Sequence, residues 1–493
     1  MVDTRYGLYI AGQWQEAESG ERFDAVSPYT QRAWASHAVA GPADVAAAVR
    51  AAEAAHDGEW GSLNGYHRGR LLERLAALVE RDAEELAVME STDNGKVIRE
   101  TRAQMQGVAR QMRYFAGLAD KLTGESIPVD RPGILDVTQR VPVRVAALVT
   151  AWNSPLSLLS SKLAPALAAG AAVVIKPSEH ASATTMQLCR LVEEAGIPAG
   201  VVNAVTGFAE TGQSLVASKG LGRVSFTGSP GVGAHIAATA GANLVPVTLE
   251  LGGKSANIVL DDADLDRAVT GAVAGIFAAS GQTCVAGSRL LVHRSLHDEM
   301  IERVVDRART VVVGDPLSDD TEMGCVANQP QLTKILGMID RATEEGARLV
   351  IGGRPAAGPE VGDGLFVEPT VFADVTPQMH IAQEEVFGPV LSVIPFDDDE
   401  EAVAIANGTR YGLAGGVWTN DVTRALRVSQ ALEVGTVWVN AYRVAAVQAP
   451  SGGVKDSGFG RERSVHAVDD YLTVKNTMID YSGVTRDPFQ IAL

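Results

Sequence analysis

Between residues 143 and 253 the chain alternates short apolar runs with stretches of helical periodicity. The apolar runs, rich in valine, leucine and isoleucine, are 143–150, 171–176, 201–205, 223–228 and 245–253. The intervals between them have apolar residues at helical spacing, at 156–169, 182–195, 209–218 and 231–240. Short apolar strands that alternate with helices are typical of βαβ units, whose parallel sheet is covered on both faces. The pattern therefore predicts a doubly wound α/β domain.

A second alternating pattern follows residue 254 and predicts a second α/β domain. Its predicted helices are 265–279, 296–310, 330–346, 399–407 and 422–432, and its predicted strands are 256–260, 289–293, 390–395 and 435–439. Nearer the N-terminus, apolar residues at helical spacing predict long surface helices at 43–56, 66–90 and 96–120.

Two segments fit neither predicted domain. Residues 124–142 contain Pro128, Pro132 and Pro142, and the other segment is the tail after Tyr471. Both are predicted to be extended arms, and extended arms often pair with a partner subunit.

Charge and cysteine content narrow the class of protein. With 42 basic and 60 acidic residues, the formal net charge is −18. A protein this acidic repels nucleic acids and anionic membranes and lacks the basic surface expected of a nucleic-acid-binding protein. Cys189, Cys284 and Cys325 lack C-x-x-C spacing, so neither a disulfide framework nor a cysteine metal site is expected. The first residues lack a signal-peptide pattern, and polar residues at 152–154 interrupt the apolar stretch 145–161. We expect a soluble, cytoplasmic protein.

Two turns that follow predicted strands are candidates for a cofactor site. In 226–233, Gly228 and Ser229 lie where a strand ends and a helix begins, and backbone N–H groups at such a position favour a phosphate. The alternative is an ordinary tight turn. Lys176 and Glu179 follow another strand, at the edge where parallel sheets bind ligands. A carboxylate there accepts hydrogen bonds from both ribose hydroxyls, which favours NAD over a 2′-phosphorylated cofactor, and the alternative is a solvated charge pair.

Three further residues are candidates for chemistry on a carbonyl group. Glu250 lies between Leu249 and Leu251. Burial there would raise its pKa towards neutral pH, which suits a general base, and the alternative is a glutamate at a strand end that faces water. Asn153 follows a strand, and its amide could stabilise an oxyanion, although asparagine before Ser-Pro is also an ordinary turn residue. Cys284 is a candidate nucleophile with no histidine near it in sequence, and the alternative is a buried inert thiol.

Several segments, in their order and spacing, resemble the motifs of the NAD(P)-dependent aldehyde dehydrogenase superfamily over essentially the full chain. They are TAWNSP (150–155), KPSE (176–179), FTGS (226–229), LELGGK (249–254), GQTC (281–284), EEVFGPV (384–390) and SGFGRE (457–462). The resemblance implies an aldehyde dehydrogenase-like α/β fold, with two doubly wound parallel-sheet domains and a small bridging and oligomerisation β element. The implied parts are an NAD-binding domain at 1–123 and 143–252, a catalytic domain at 253–455, and an oligomerisation arm at 124–142 and 472–493.

The resemblance also implies catalytic roles for individual residues. Cys284 matches the nucleophile that adds to the aldehyde, and Asn153, with the backbone N–H of Cys284, matches the oxyanion hole. Glu250 matches the base that activates water for thioester hydrolysis, and Glu462 matches a second acidic residue near that proton path. No metal ion is implied. A cationic nicotinamide is the partner that we expect to lower the pKa of the thiol.

A second group of residues matches the family's contacts with the dinucleotide. They are Trp152, Lys176 and Glu179 around the adenosine ribose, Gly228 and Ser229 at the pyrophosphate, Gly252, and Glu385 and Phe387 at the nicotinamide ribose. The implied cofactor is NAD, with NADP left open, because a carboxylate at position 179 disfavours a 2′-phosphate without forbidding it. A homodimer or homotetramer is the family norm.

Several positions depart from the family pattern beside the expected substrate tunnel. Ser154 follows Asn153, Ser161 and Ser451 replace aromatic residues of relatives, and 443–448 is mostly small and aliphatic. We expect a wider, less aromatic pocket, suited to a bulky or semi-polar aldehyde and less suited to a quaternary ammonium. The arginine at position 443 could meet an acidic end of the substrate or be solvated at the tunnel mouth.

The expected activity is NAD-dependent oxidation of an aldehyde to a carboxylic acid, through a thiohemiacetal, hydride transfer and thioester hydrolysis. One alternative is CoA-acylating aldehyde oxidation, whose enzymes generally lack the base at the position of Glu250. The other alternative is a catalytically idle structural protein on the same fold. Loss of Cys284, Asn153 or Glu250 would be its signature, and all three are present.

Overall fold

The computed structural model describes residues 4–485 and Phe489. The predicted NAD-binding domain, which begins at residue 1, and the predicted arm 472–493 therefore extend at their ends outside the described residues. No helix of the described part combines the length and the apolar character needed to cross a membrane.

Strands and helices alternate along the described chain. The strands are β1 (Thr4–Tyr6), β2 (Leu8–Ile10), β3 (Gln13–Gln15), β4 (Arg22–Val26), β5 (Ala33–Ala38), β6 (Ser126–Ile127), β7 (Ile134–Pro142), β8 (Val145–Val149), β9 (Ala172–Lys176), β10 (Val202–Ala204), β11 (Arg223–Thr227), β12 (Val247–Glu250), β13 (Ala256–Val259), β14 (Arg289–His293), β15 (Arg348–Ile351), β16 (Thr370–Ala373), β17 (Val390–Phe396), β18 (Tyr411–Gly412), β19 (Ala414–Trp418), β20 (Thr436–Val439), β21 (Val454–Lys455), β22 (Gly458–Phe459) and β23 (Leu472–Asp480). The α-helices are α1 (Pro42–Asp57), α2 (Glu59–Ser62), α3 (Gly65–Arg81), α4 (Ala83–Asn94), α5 (Ile98–Ala116), α6 (Pro155–Ala169), α7 (Ala183–Glu194), α8 (Ala209–Ala217), α9 (Pro230–Ala242), α10 (Leu265–Ile276), α11 (His297–Arg309), α12 (Gln329–Glu344), α13 (His380–Gln383), α14 (Asp399–Asn407), α15 (Val422–Ala431) and α16 (His466–Asp469). Short 3₁₀ helices lie at Ala278–Gly281 and Arg294–Leu296.

The first large sheet contains the strands predicted between residues 143 and 253. Its order is β22-β12-β11-β8-β9-β10-β2-β3, with β8 to β12 parallel and the outer strands antiparallel. In β8, Ala146 and Leu148 pack into the core on one face, and Val145, Ala147 and Val149 pack into the core on the other. Because both faces are covered, the strand is apolar throughout, and the predicted doubly wound sheet is confirmed.

The second large sheet confirms the predicted second α/β unit. Its order is β15-β16-β17-β14-β13-β19-β20, parallel except for the antiparallel edge strand β15. The strands β15, β16 and β19 of this sheet were not predicted from the sequence. Strand β19 has two glycines at its centre, which give no apolar signal, and the ring of Tyr442 lies 2.6 Å from where a Cβ of Gly416 would be.

The two predicted arms meet in a three-stranded sheet of their own. Strand β23 pairs antiparallel with β7, from Leu472 opposite Pro142 to Asp480 opposite Ile134, and β6 pairs with the other edge of β7. Another three-stranded sheet, β1-β5-β4, lies near the N-terminus and was not predicted.

Two predicted helices have different boundaries in the structure. The predicted helix 66–90 is two helices, α3 and α4, separated at Asp82. The predicted helix 265–279 stops at Ile276, and Ala279, Ser280 and Gly281 then have left-handed φ angles of 53°, 54° and 69°. Left-handed backbone at non-glycine residues costs about 1–3 kcal/mol each and concentrates at functional sites.

Replacing Gly458 with alanine should displace β22 from β12. Gly458 has a φ of 105°, and a methyl group there would overlap the carbonyl oxygen of Leu249 in β12. We expect Gly458→Ala to lower the free energy of unfolding by about 2 kcal/mol or more, measured by urea denaturation. The matched control is Gly241→Ala in α9, where a methyl group would meet no heavy atom within 4 Å and should be neutral or slightly stabilising. Equal stability of Gly458→Ala and the wild type would contradict this packing.

Candidate active site

Cys284 follows the left-handed turn after α10, and side chains from several elements hold this turn. Glu100 accepts a hydrogen bond from the backbone of Ala279 at 3.0 Å, and the Ser280 hydroxyl donates to the Gly324 carbonyl at 2.8 Å. At Gly281, an added Cβ would overlap the backbone carbonyl of Gly388. Only glycine therefore permits this approach, and the nucleophile candidate is carried on a fixed loop.

Gln282 fastens the same loop from within. Its side chain donates to the Cys325 carbonyl at 3.0 Å and accepts from the backbone N–H of Ala327 at 2.9 Å. Its own carbonyl accepts a hydrogen bond from Nδ2 of Asn153 at 3.0 Å. The structure therefore brings the predicted Asn153 to the loop that carries Cys284.

Cys284 is partly exposed, whereas Cys189 and Cys325 are buried. Burial among protein groups, together with the carboxylates of Glu250 and Glu385, raises the pKa of Cys284 to about 12, against a smaller opposing effect of Arg463. Burial alone raises the pKa of Cys189. Without a bound cation the Cys284 thiol is therefore protonated near neutral pH.

Two N–H groups beside the thiol are free to bind an oxyanion. The amide of Asn153 has two donors, and Gln282 accepts from only one of them. The backbone N–H of Cys284 donates to no group among the described residues. Preorganised donors of this kind typically contribute about 3–4 kcal/mol to stabilising a developing oxyanion.

Glu250 ends β12 and is 9% exposed, with its Oε1 lacking a hydrogen-bond partner within the described chain. Burial raises the pKa of Glu250 well above its ordinary value, and the neighbouring Glu462 raises it further, while Lys162, Arg461 and Arg463 oppose the shift. This direction agrees with the expectation from its apolar neighbours. A carboxyl group whose pKa lies closer to neutrality is suited to act as a general base.

A buried ion pair lies next to Glu250. Lys162 on α6 is fully buried, and its ammonium pairs with Glu462 and donates to the Ser225 hydroxyl at 3.2 Å. The backbone of Glu462 exchanges two hydrogen bonds of 2.8 Å with Ser451, next to Gly452, where an added Cβ would lie 2.9 Å from Oε1 of Glu250. Sequence reasoning missed Lys162, although a lysine within the apolar helix 156–169 was a signal for it.

Lys176 and Glu179 form an ion pair of 3.3 Å after strand β9, at the carboxyl edge of the first sheet. Burial lowers the pKa of Lys176, with Glu179 opposing. Burial of Glu179 acts to raise its pKa, but the charge of Lys176 and local hydrogen bonds leave it lowered. The ionised carboxylate of Glu179 is half-buried, which suits it to accept hydrogen bonds from sugar hydroxyls.

The start of α9 has the properties of a phosphate site. Ser229 precedes the helix without capping it through its side chain, and Pro230 has no N–H to offer. An added Cβ at Gly228 would overlap the ring of Phe226, whereas one at Gly231 would meet open space. The uncapped N–H groups and the helix dipole together favour a negatively charged group.

Glu385 and Phe387 precede strand β17 of the second sheet and contact residues that follow strands of the first sheet. The backbone N–H of Gly253 donates to Glu385 at 2.9 Å, and an added Cβ at Gly252 would overlap the Glu385 carboxylate. Burial raises the pKa of Glu385. Phe387 has a left-handed φ of 58°, and its ring meets Trp152 edge-on at 5.4 Å. The predicted cofactor residues of the two units therefore face one another.

Lys254, at the end of the LELGGK segment, is another group that sequence reasoning missed. It is 1% exposed, and its ammonium has no hydrogen-bond partner among the described residues. Burial, together with the charge of the buried Arg289, lowers the pKa of Lys254 to about 7, while Glu385 opposes this shift. Elsewhere, residues 4–485 contain no group of three or more histidine, cysteine, aspartate or glutamate side chains that could hold a metal ion.

Replacing Glu250 with glutamine should make the Cys284 thiol more reactive. The substitution removes a negative charge that raises the thiol pKa, so the thiolate fraction at pH 9 should rise about three- to tenfold. The rate of alkylation by iodoacetamide between pH 7 and 10, without cofactor, measures this. Glu194→Gln, at an exposed surface position, is the control. Slower alkylation of Glu250→Gln would mean that Glu250 instead takes the proton from the thiol.

Comparisons with known proteins agree with this geometry. A family model described as the aldehyde dehydrogenase family matches residues 14–477. The chain is 42% identical to a betaine aldehyde dehydrogenase of Bacillus subtilis, over 95% of this chain and 96% of that protein. It is 43% identical to the human mitochondrial aldehyde dehydrogenase, over 96% and 91% of the two chains.

A solved structure has nearly the same fold. The betaine aldehyde dehydrogenase of Staphylococcus aureus, in complex with NAD+, superimposes with a TM-score of 0.97 at 38% identity, covering 99% of this chain and 98% of its own. The matches extend over both large sheets and the arms. The chain belongs to the aldehyde dehydrogenase family.

Proposed function

We propose that this protein oxidises an aldehyde to a carboxylic acid with NAD as oxidant, through covalent intermediates on Cys284. The observation that carries the proposal is the convergence at one loop of a partly exposed thiol, two free N–H donors and a buried carboxylate. Membership of the aldehyde dehydrogenase family supports it.

In the first step the Cys284 thiol loses its proton to solvent, and its sulfur adds to the aldehyde carbon and forms a thiohemiacetal. The carbonyl π electrons move to oxygen, and Nδ2 of Asn153 and the backbone N–H of Cys284 bind the resulting oxyanion. An oxyanion on the same carbon favours departure of its hydrogen as hydride. NAD, when bound, supplies the hydride acceptor, which leaves a thioester on Cys284.

In the second step water attacks the thioester carbon, and Glu250 takes the proton from that water. The C–S bond then breaks and the carboxylic acid leaves. The departing thiolate of Cys284 takes the proton held by Glu250, which restores both the thiol and the carboxylate. Glu462 and its partner Lys162 lie next to this base, and the negative charge of Glu462 helps to keep the pKa of Glu250 high. Glu462 is thus assigned a role in tuning the base.

The residues around the cofactor favour NAD over NADP. Gly228 and Ser229 would hold the pyrophosphate at the start of α9, and Lys176 with Glu179 would bind the adenosine ribose. Gly252, Glu385 and Phe387 would line the nicotinamide end, and Trp152, whose match is to the adenosine-ribose and neighbouring contacts, packs edge-on against Phe387. The ionised carboxylate of Glu179 repels a 2′-phosphate, while Lys176 beside it leaves slower use of NADP open.

Two competing functions have less support. A CoA-acylating enzyme needs no base for water, whereas the buried Glu250 with its raised pKa is present. An idle structural protein would not need the strained loop that presents Cys284.

The three-stranded sheet of β6, β7 and β23 is assigned to assembly into a homodimer or homotetramer. Val474 and Met478 on β23 and Leu135 on β7 are exposed apolar side chains on this sheet. We keep the domain boundaries implied by the resemblance, at 1–123 with 143–252 and at 253–455, as part of the proposal. In their support, the strands of the first large sheet other than β22 precede residue 253, and those of the second lie between residues 256 and 439. Three unpaired cysteines are compatible with a cytoplasmic location.

Replacing Cys284 with alanine should lower the rate of NADH formation by roughly 1,000-fold or more with every aldehyde, because the nucleophile is lost. The control Cys189→Ala removes a buried thiol outside the site and should retain activity. Absorbance at the NADH band measures the first product, and titration of released carboxylic acid measures the second. Acid release without CoA is expected. Turnover only when CoA is added, or turnover by Cys284→Ala, would contradict the proposal.

A further inference from the structure

The segment that carries the oxyanion amide has no regular structure of its own. It runs from Thr150 to Ser154, between β8 and α6, and Ser154 begins α6 without capping the helix through its side chain. On one side of the segment, Nδ2 of Asn153 donates to the Gln282 carbonyl at 3.0 Å. One hydrogen bond does not fix the direction of the second N–H, which depends on how the backbone of Asn153 is held.

A hydrogen-bonded chain from a buried lysine holds that backbone. Nζ of Lys96 donates to the hydroxyl of Ser154 at 2.6 Å, and this hydroxyl donates to the carbonyl of Asn153 at 2.7 Å. Hydrogen bonds from a charged donor are stronger than neutral ones, and they polarise the hydroxyl that continues the chain. The chain therefore ends on the peptide group of the residue whose side-chain amide is to bind the oxyanion.

Two side chains of α4 support the same segment. Asn94, the last residue of α4, donates to the Trp152 carbonyl at 3.2 Å and accepts from the backbone N–H of Lys96 at 3.1 Å. Glu90, one turn earlier in the helix, accepts from the backbone N–H of Leu156 at 3.4 Å. The oxyanion segment and the start of α6 are therefore bound to α4 and to the turn that follows it.

The turn that carries Lys96 is bound in its own right to the support of the nucleophile loop. Gly95 has a φ of 76°, and an added Cβ there would lie 2.5 Å from the Cβ of Cys325. The Gly95 carbonyl accepts from the backbone N–H of Cys325 at 2.9 Å, and the Cys325 carbonyl accepts from the Gln282 side chain at 3.0 Å. Because the Gln282 carbonyl accepts from Asn153, these bonds close a ring. The members of the ring, in order, are Gly95, Lys96, Ser154, Asn153, Gln282 and Cys325.

Lys96 is the member of this ring that is least favourable to bury. Its side chain is buried, and Nζ is bonded to two neutral groups, the Ser154 hydroxyl and the side chain of Gln104. With its amide turned to satisfy both neighbours, Gln104 accepts from Lys96 at 3.0 Å and donates to Glu90 at 3.0 Å, so this carboxylate is reached only through an intermediary. Because an ammonium is costly to bury without a direct opposite charge, its place in the ring points to a role other than stability.

We propose that Lys96 is a positioning residue for the oxyanion step and holds Asn153 in place through Ser154. The second N–H of the Asn153 amide is thereby kept available to the oxyanion that forms beside Cys284. Lys96 touches neither substrate nor cofactor in this account. Its effect is preorganisation, because the donor is in place before charge develops on the substrate oxygen. The inference rests on the proposed aldehyde oxidation.

The test measures reactions of Cys284 that form an oxyanion and one that forms none. The oxyanion reactions are single-turnover NADH formation from hexanal and NAD, and acylation by p-nitrophenyl acetate without cofactor. We expect Lys96→Met to slow both by about ten- to hundredfold, because a displaced oxyanion donor costs less than a deleted one. Alkylation by iodoacetamide at pH 9 passes through no oxyanion and should stay within about threefold of the wild type. The KM for NAD should also stay within about threefold.

A double-mutant cycle with Asn153→Ala shows whether Lys96 acts through that amide. Once Asn153 is replaced, Lys96→Met should change the oxyanion reactions by less than about threefold. Ser154→Ala breaks the chain but keeps the ammonium, and it should slow both reactions by at least about fivefold. This variant decides the question if Lys96→Met does not fold. Lys121→Met, at an exposed lysine paired with Asp120, is the control and should match the wild type.

The inference is wrong if the losses in the cycle multiply, if alkylation falls as much as acylation, or if neither variant slows the oxyanion reactions. If hexanal does not reduce NAD in the wild type, the ester reaction alone decides the role of Lys96. If no aldehyde reduces NAD, the proposed function fails, whereas the ester reaction still tests the positioning of Asn153. If the wild type reacts with neither aldehydes nor the ester, it has no oxyanion step and both proposals fail.

Discussion

The hydrogen bond from Asn153 to the carbonyl of Gln282 joins the two large sheets at the thiol. Asn153 follows the central strand β8 of the first sheet, and Gln282 belongs to the turn that leads into β14 of the second. A second bond, from the backbone of Gly253 to Glu385, closes the same seam from the cofactor side. The oxyanion donors, the nucleophile and the nicotinamide-end residues keep their relative positions because these bonds cross from one unit to the other.

Burial of charge is the second constraint on the site. Cys284 and Glu250 both have raised pKa values because protein groups replace water around them and because each lies near a carboxylate. Without substrate and cofactor the thiol keeps its proton, and the pKa of Glu250 lies closer to neutral pH than that of an exposed glutamate. The buried Lys162–Glu462 pair places opposite charges next to the base without adding net charge. The site therefore favours formation of the Cys284 thiolate only once substrate and cofactor are present.

Much of the fold could be predicted from the sequence because parallel strands buried on both faces are uniformly apolar. The run 143–150 is an example, since its residues enter two different cores. Strands without that signature were missed. Strand β19 depends on glycines that make room for Tyr442, and β1 to β5 are short strands whose pairing is decided by distant parts of the chain. The helix α5, predicted at the surface, buries Met105, Met112 and Phe115 because α3, α4 and α6 pack around it.

The candidate site shows the same division. Cys284, Asn153 and Glu250 were found because recognisable segments carry them, and the expected rise in the Glu250 pKa followed from its apolar neighbours. Lys96, Lys162 and Lys254 were missed, because a lysine in sequence indicates a solvated surface and only tertiary packing shows that these three are buried.

The central claim is that the acyl group is carried on the sulfur of Cys284 and that Glu250 is the base for hydrolysis of this thioester. Intact-protein and peptide mass spectrometry of Glu250→Gln, mixed with an aldehyde and NAD and quenched in acid, tests this most directly. The account predicts an adduct with the mass of the aldehyde less two hydrogen atoms, located on the peptide that contains Cys284. Absence of any adduct while NADH forms, or an adduct located on Cys189 or Cys325, would contradict it.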